Sequence, residues 1–423
     1  LSDILFLCFC GYDRAELAQL QQIFFYDIVP VMERKFSLLF VFVLTACATK
    51  SPYLQGLECG TDQLWKDHPV QSVECFDAAE TAMDTESNYV VKDYEKVMLK
   101  TYQGVGFMAG GGDFAAQSFR RAYALQTQIV QENSADIAKQ QEEFKKSARK
   151  IPGMPGLNEI VNEINAEMDM GSQVLAMRDY VNPYTTWLSA IYDGVASRDF
   201  SNAENFLRRV ATFAPDNKFV RTDMDAIRSK KEHVWIVFEN GIVGRLYEHY
   251  MAPRALQAWN INLTVPDQAR GTVALPYLEI DGIKTEFLAD VDSIVKTDLI
   301  KYRTEHIISS VVFEVGKLAA AGGVIVGSAV AANKNRNAPG LFMMGGYLAT
   351  KAIMSVRKNW DLRSWDSLPA EIQVARIEMP QSREVKISNV GNVKIPTEAR
   401  NAIVFVRILT QNSTPAVIIG KLN

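Results

Sequence analysis

Apolar residues recur at three- and four-residue spacing through residues 82–147, interleaved with charged and amide side chains, and this predicts a strongly helical stretch after a turn-rich entry at 49–79. Within it, residues 98–122 read as helix, tight turn and helix. Tyr102, Gly104 and Phe107 lie on the first helix, Gly110, Gly111 and Gly112 make the turn, and Ala115, Phe119 and Ala122 lie on the second. A long polar helix continues over 122–149 and breaks at 151–156, where Pro152 and Pro155 cannot continue it. Asn182-Pro183-Tyr184 restarts the helical pattern, because the residue before a proline is pushed out of the helical region. Trp187, Ala190 and Tyr192 then fall on one helix and Ala203, Leu207 and Val210 on the next, which Pro215 ends.

From Val234 the pattern changes to strands. Residues 234–238 form one, Asn240-Gly241 gives a hairpin signal, and alternation resumes at 245–250. Further strands are expected at 261–265, 272–280, 371–378, 384–387, 402–409 and 416–419. Two helices at 294–330 and 339–358 interrupt them, around a polar tip at 333–337. The predicted class is α+β: a helical domain at 47–230, then an antiparallel β-rich domain at 231–423 with an inserted Gly-rich helical hairpin at 294–358. The stretch 318–332 is almost wholly small and apolar, with Gly323, Gly327 and Ala331 on one helix face. At fifteen residues it is short for a membrane span, and a packed arm of the hairpin is expected, with membrane contact or oligomer formation as the alternatives.

The spacing of small and aromatic residues at 98–122 and 182–215 resembles the tetratricopeptide repeat, and the interval from Ala203 to Pro215 matches it. Two degenerate copies are fewer than the three such arrays need to stand alone. Other helices or the strand-rich part must therefore cover their open ends.

Upstream of these elements, Met32-Glu33-Arg34-Lys35, the apolar run 36–44 and the small pair Thr45-Ala46 precede Cys47 in the order of a lipoprotein signal peptide. As a helix, about nine residues cover roughly 14 Å, far less than a hydrocarbon core of about 30 Å, so the run cannot span a bilayer. Residues 32–46 are read as the signal peptide, Cys47 as the lipidated N-terminus, and 1–31 as a mis-called upstream extension, with an amphipathic leader over 15–25 as the alternative. Resemblance to bacterial lipoproteins implies that Ala48, in place of an aspartate, favours the outer membrane.

Composition changes the picture in two respects. A net charge of −4 over 423 residues argues against a nucleic-acid partner, which clustered Lys and Arg would recognise. Of the five cysteines, only Cys59 and Cys75 lie beyond the signal region. In an oxidising compartment two cysteines a short loop apart are expected to bridge, and closing a loop of about 15 residues constrains the unfolded chain by roughly 3 kcal/mol. His68, His233, His249 and His306 are isolated, so no metal ligand set is assigned. Gly104, Gly106 and Gly110 sit within helical pattern with the wrong spacing for a dinucleotide loop. No cofactor and no catalytic residue is predicted.

On Asn182-Pro183-Tyr184 with Trp187-Leu188-Ser189, Phe238-Glu239-Asn240-Gly241, Ala289-Asp290, and Asp361-Leu362-Arg363-Ser364-Trp365 with Leu368-Pro369, the chain resembles a family of uncharacterised proteobacterial envelope lipoproteins. That resemblance implies tetratricopeptide-like helices, a strand-rich C-terminal domain and no enzyme activity. Tyr184, Trp187, Glu239, Asn240, Asp361, Arg363 and Trp365 are the candidate binding or structural positions, since Arg and Trp anchor interfaces and an aspartate holds a guanidinium. Asp361 to Trp365 has a plainer reading as the return from the hairpin to the sheet.

The favoured function is a periplasm-facing scaffold or accessory factor, lipid-anchored in the outer membrane, that binds an envelope protein or peptide in cell-envelope assembly or maintenance. One alternative is a peptidoglycan- or glycan-active enzyme using Glu239, Asp290 or Glu248 as acid and base. Another is a component of a membrane pore or secretion assembly.

Overall fold

The computed structural model describes residues 51–86, 89–112, 114–148, 159–160, 162–163, 182–251, 254, 263–299 and 360–422. The expected signal peptide with Cys47, the expected helix break at 151–156 and the part of the expected helical hairpin beyond residue 299 lie outside them. The chain divides into two compact units, Leu1–Pro52 and Tyr53–Asn423, and all described residues but Ser51 and Pro52 belong to the second.

Among the described residues, the named helices of the first half of that unit are α1 (Pro52–Trp65), α2 (Pro69–Met83), α3 (Asp93–Gly110), α4 (Ala115–Ala148), α5 (Pro183–Val195), α6 (Phe200–Ala211) and α7 (Lys218–Arg228). Their starts follow from local chemistry. Asn182 caps α5 by accepting from the Tyr184 and Thr185 amides at 3.0 and 3.2 Å, with Pro183 supplying the first helical φ. Asn217 caps α7 in the same way through the Phe219 and Val220 amides. Its amide group also donates to the Phe287 carbonyl at 2.8 Å, which fixes the helix start against a strand. Gly111 ends α3 in the left-handed conformation at φ +75°. Cys59 on α1 and Cys75 on α2 are joined by a disulfide with Cα atoms 5.7 Å apart, and Ser72 Oγ donates to the Gly60 carbonyl between the same helices at 2.7 Å. Residues 291–299 form a further helix, and among the described residues no helix is long and apolar enough to cross a membrane.

The strands are β1 (His233–Asn240), β2 (Leu246–Met251), β3 (Leu263–Gln268), β4 (Glu279–Ile280), β5 (Ile283–Lys284), β6 (Glu286–Asp290), β7 (Glu371–Glu378), β8 (Glu384–Ile387), β9 (Gly391–Lys394), β10 (Asn401–Ile408) and β11 (Ala416–Leu422). They form a five-stranded sheet β11-β10-β1-β7-β6, a four-stranded sheet β5-β4-β8-β9 and the pair β2-β3. The mixed α+β class holds, but the expectation of an antiparallel domain does not hold for the centre. There β1 runs parallel to β10, pairing Ile236 with Val404, and antiparallel to β7, pairing Ile236 with Ala375.

The hairpin expected at Asn240-Gly241 is absent for a related reason. Both edges of β1 are occupied by β7 and β10, so the next strand cannot fold back beside it, and β2 pairs with β3 instead. Asn240 spends its side chain on a neighbouring loop, accepting from the Ala274 and Leu275 amides at 3.0 and 3.1 Å and donating to the Leu275 carbonyl at 2.7 Å. Only residues 279–280 of the strand expected over 272–280 are extended into a ladder, while the short β5, β6 and β9 carried no strand expectation.

Buried on both faces, β1 has no polar-out alternation. Trp235 and Val237, with Ile403, Phe405, Ile372 and Val374, face the helices, while Val234, Ile236 and Phe238, with Val404 and Ala375, face Ile280, Val385, Ile387 and Val393 of the four-stranded sheet. The result is a helix layer, a five-stranded sheet and a second sheet in succession. Helices and sheet share one core, so the change of pattern near residue 230 is a change of secondary structure inside one compact unit.

Gly241 and Gly111 both hold positive φ, at +76° and +75°, in different surroundings. A Cβ on Gly241 would lie 1.7 Å from the Thr272 carbonyl oxygen, whereas one on Gly111 meets nothing within 4 Å. Gly111→Ala should therefore lower unfolding free energy by about 1 kcal/mol, the left-handed penalty alone. Gly241→Ala should lose more than about 3 kcal/mol, because backbone must also move. Urea midpoints at constant m-value measure both, and equal losses would contradict the close approach at residue 272.

Candidate functional site

Most of the residues singled out in the sequence converge on three buried carboxylates at the boundary between helices and sheet. The parallel register sets Glu239 of β1 beside Arg407 of β10, both on the helix-facing side, and their charged atoms approach to 3.4 Å. From the helices, Tyr102 of α3 and Tyr184 of α5 donate their hydroxyls to the two Glu239 oxygens at 2.8 and 3.0 Å. Arg407 also donates to the Ser367 carbonyl and lies over the Trp65 ring, 5.4 Å from its centroid. Glu239 is 0% exposed, so no solvent completes its shell. Burial pushes its carboxyl above the usual range, against the pull of Arg407 and the two hydroxyls.

The second carboxylate, Asp223 of α7, is also 0% exposed. It accepts from the indole N–H groups of Trp187 on α5 and Trp235 on β1, at 2.9 and 3.0 Å, and from the Arg376 guanidinium of β7. The antiparallel register puts Trp235 opposite Arg376, which is why both reach one aspartate. Burial raises this carboxyl too, and Arg376 opposes it.

Glu95 is the third. Three residues into α3, it reaches back to the Lys92 amide at 3.2 Å, the N-terminal capping geometry, and accepts from Tyr89 and Tyr94 at 2.6 and 3.2 Å. The Trp365 amide adds a fourth bond at 3.1 Å. The Trp365 indole N–H is shared between Thr61 at 3.1 Å and Ser367 at 2.9 Å, and its ring stacks obliquely on Tyr102 and Phe76. Asp361 and Arg363 form a two-bond pair at 2.9 and 2.8 Å, with Arg363 over the Tyr89 ring and Lys92 donating to the Arg363 carbonyl at 2.6 Å. At Asp361 burial acts upward, but Arg363 and Lys92 together hold the carboxyl below its usual range.

The seven candidate positions thus do not meet in one open cleft. Tyr184 and Glu239 touch; Trp187 belongs to the Asp223 cluster; Asp361, Arg363 and Trp365 belong to the Glu95 cluster; Asn240 holds the loop at 274–275. Of the carboxylates weighed for glycan chemistry, Glu239 is sealed, Asp290 on β6 accepts from Ser293 at 2.6 Å, and Glu248 lies on the separate β2-β3 pair. Sequence reasoning missed Glu95, Asp223, Tyr102, Arg376 and Arg407. Asp223 had a visible signal, since it shares a helix face with Phe219, Val220, Ala226 and Ile227 and breaks that apolar stripe. Among the described residues no group of three His, Cys, Asp or Glu side chains could hold a metal ion.

An open groove of about 710 Å³ lies between the start of α7 and the β4–β6 strands. Tyr277 and Phe287 form its apolar walls, with Lys218, Lys284, Glu371 and Gln373 around them. Lys218 is paired with Glu286 at 2.8 Å, Lys284 stands 4.0 Å above the Tyr277 ring centroid, and Gln373 bonds Glu371 at 2.6 Å. Aromatic surface edged by paired charges suits an extended peptide or a polar small molecule. No protein-family model, curated protein or solved structure matches the chain.

Removing Glu239 strips two hydroxyls of their acceptor and Arg407 of its counter-charge. Glu239→Ala should cost about 3–5 kcal/mol, while Glu239→Ala combined with Arg407→Met should cost less than the sum of the two single changes. Urea unfolding of the four proteins measures the coupling, and strict additivity would contradict the pairing. The raised carboxyl makes a second test. Folded protein binds more proton than unfolded from about pH 4.3 up to the raised value, so the stability from this group is full below that window and falls as pH rises through it. Glu239→Gln should flatten that fall in a pH series of unfolding midpoints, and an unchanged slope would remove Glu239 as its source.

Proposed function

We propose that this chain is a lipid-anchored protein of a bacterial envelope, acylated at Cys47 and held at the outer membrane, that acts as a binding scaffold for an envelope protein or peptide. The order of basic start, apolar run, small pair and cysteine supports the anchor, and Ala48 after the cysteine supports the outer membrane. The helix pairs α3–α4 and α5–α6 are read as tetratricopeptide-like, and the resemblance to proteobacterial envelope lipoproteins points to assembly or maintenance of the envelope.

The observation that favours a scaffold over a glycan hydrolase is the state of Glu239. A general acid or base must reach its substrate's proton, and this carboxylate has both oxygens bonded and no exposed surface. The aromatic groove beside Tyr277 is open and suits a partner segment.

Cys47→Ser should abolish fatty-acid labelling and move the protein from the membrane fraction to the soluble one; retained labelling would overturn the anchor. A photo-crosslinking residue at Tyr277 in the intact envelope should give one defined protein adduct that the same probe at exposed Tyr250 on β2 does not. Equal adducts at both positions, or hydrolysis of peptidoglycan by the purified chain, would overturn the scaffold reading.

A further inference from the structure

A second cavity, of about 420 Å³, lies where the α5–α6 turn, the end of α7 and the first residues of β1 and β10 meet. Its charge is opposite to that of the chain, which carries −4 overall. Arg198, Arg228, Lys230, Lys231 and Arg400 line it, against Glu232 as the one carboxylate. Three of these cations are compensated: Arg228 by Glu204 at 2.7 Å, Lys231 by Glu378, and Arg400 by Glu232 at 3.8 Å. Glu232 is engaged a second time by Arg383 at 3.2 Å, and nearby Asp199 is occupied in capping α6 through the Asn202 amide. That leaves Arg198 and Lys230, neither of which has a carboxylate partner among the described residues.

Two further groups suit an anionic ligand. Asn401, which lines the cavity, accepts the His233 amide through Oδ1 at 2.8 Å, and its Nδ2 donors have no acceptor among the described residues. Phe200, 40% exposed at the rim, offers apolar surface for an organic substituent, and Trp235, itself buried, stands behind the lining as a fixed wall. Trp235 cannot drift, since Asp223 holds its indole N–H.

We propose that this cavity binds the phosphoryl group of a phosphomonoester, through Arg198, Lys230 and the Asn401 amide. Two uncompensated cations match a dianion, and an arginine fork with an ammonium and an amide donor covers more oxygens than a single carboxylate presents. The group has two sources, a soluble phosphomonoester or a lipid headgroup of the same chemistry. The site is distinct from the aromatic groove and does not rest on the scaffold reading.

Calorimetry of the full chain carrying Cys47→Ser, which removes the proposed acyl anchor, with phenyl phosphate, and sedimentation of the same protein with phosphatidylcholine vesicles with and without phosphatidate, test both sources. Arg198→Ala with Lys230→Ala should weaken binding by about a hundredfold, each single change by about tenfold, and Lys284→Ala in the other groove should leave it unchanged. Both residues are exposed, so circular dichroism and urea midpoints of the variants should match the unaltered protein. Binding of phenyl phosphate alone assigns a soluble ligand; phosphatidate-dependent sedimentation lost in the double variant assigns the headgroup. Absence of binding to both probes, or binding that the double variant retains or Lys284→Ala equally weakens, overturns the proposal.

Discussion

A carboxylate taken out of water must find enough donors to replace its hydration, and this requirement governs how the helices lie on the sheet. An ionised group buried without partners is so costly that it protonates or unfolds the region around it. Glu239 and Asp223 meet the requirement with donors from different elements. Glu239 needs a tyrosine from α3, a tyrosine from α5 and an arginine from β10; Asp223 on α7 needs an indole from α5, an indole from β1 and an arginine from β7. Each set closes only if α3, α5 and α7 dock at one position and rotation on the five-stranded sheet. Apolar burial drives the layers together without direction, and the carboxylates select the docking geometry. Glu95 extends the same logic to residues 361–365, which carry the chain to the start of β7.

How much of this was legible varies with the range of the interaction. Caps and runs are local, so the start of α5 at Pro183, the turn at Gly111 and strands β7, β8 and β10 could be read within a residue or two. The hairpin at Asn240-Gly241 failed because its dipeptide signal is local, whereas the occupancy of both β1 edges is set by residues more than 130 positions away. The parallel pairing was illegible on the same ground. Strands β5, β6 and β9 are short and rich in charged or flexible residues, and only a neighbouring strand makes them extended. The Asp281-Gly282 turn between β4 and β5, with φ of +47° and +86°, was a readable hairpin signal directly after the segment expected as a strand over 272–280.

The candidate site illustrates a deeper ambiguity. Tyr, Trp, Arg and Asp are the residues that anchor interfaces, and they are also the residues that satisfy one another in a buried network. Composition and spacing cannot separate the two uses. Trp187 and Trp365 proved to be donors in sealed clusters, and the Asp361–Arg363 pair holds a chain segment against Tyr89. The better sequence signal was an acid on an otherwise apolar face: Asp223 in α7, and Glu239 two residues after Val237 on the helix-facing side of β1. Such an acid announces a hidden partner without naming it, and the cation it needs, Arg376 or Arg407, stands in an apolar run of its own.

The same network constrains what the surface can do. Helix α7 borders both cavities, its first residues at the aromatic groove and its last at the basic one, and at 11 residues it is roughly 16 Å long. Communication between the two would need α7 to adopt a second position, since coupling requires an element with two arrangements that each ligand favours differently. Asp223 sits in its middle, bonded to α5, β1 and β7 at once, and Asn217 fixes its start to β6. Sliding the helix would break those bonds together and leave a buried aspartate facing an unpaired arginine. On this geometry α7 is tied in place at its start and its middle, which leaves no easy shift of the helix through which one cavity could act on the other.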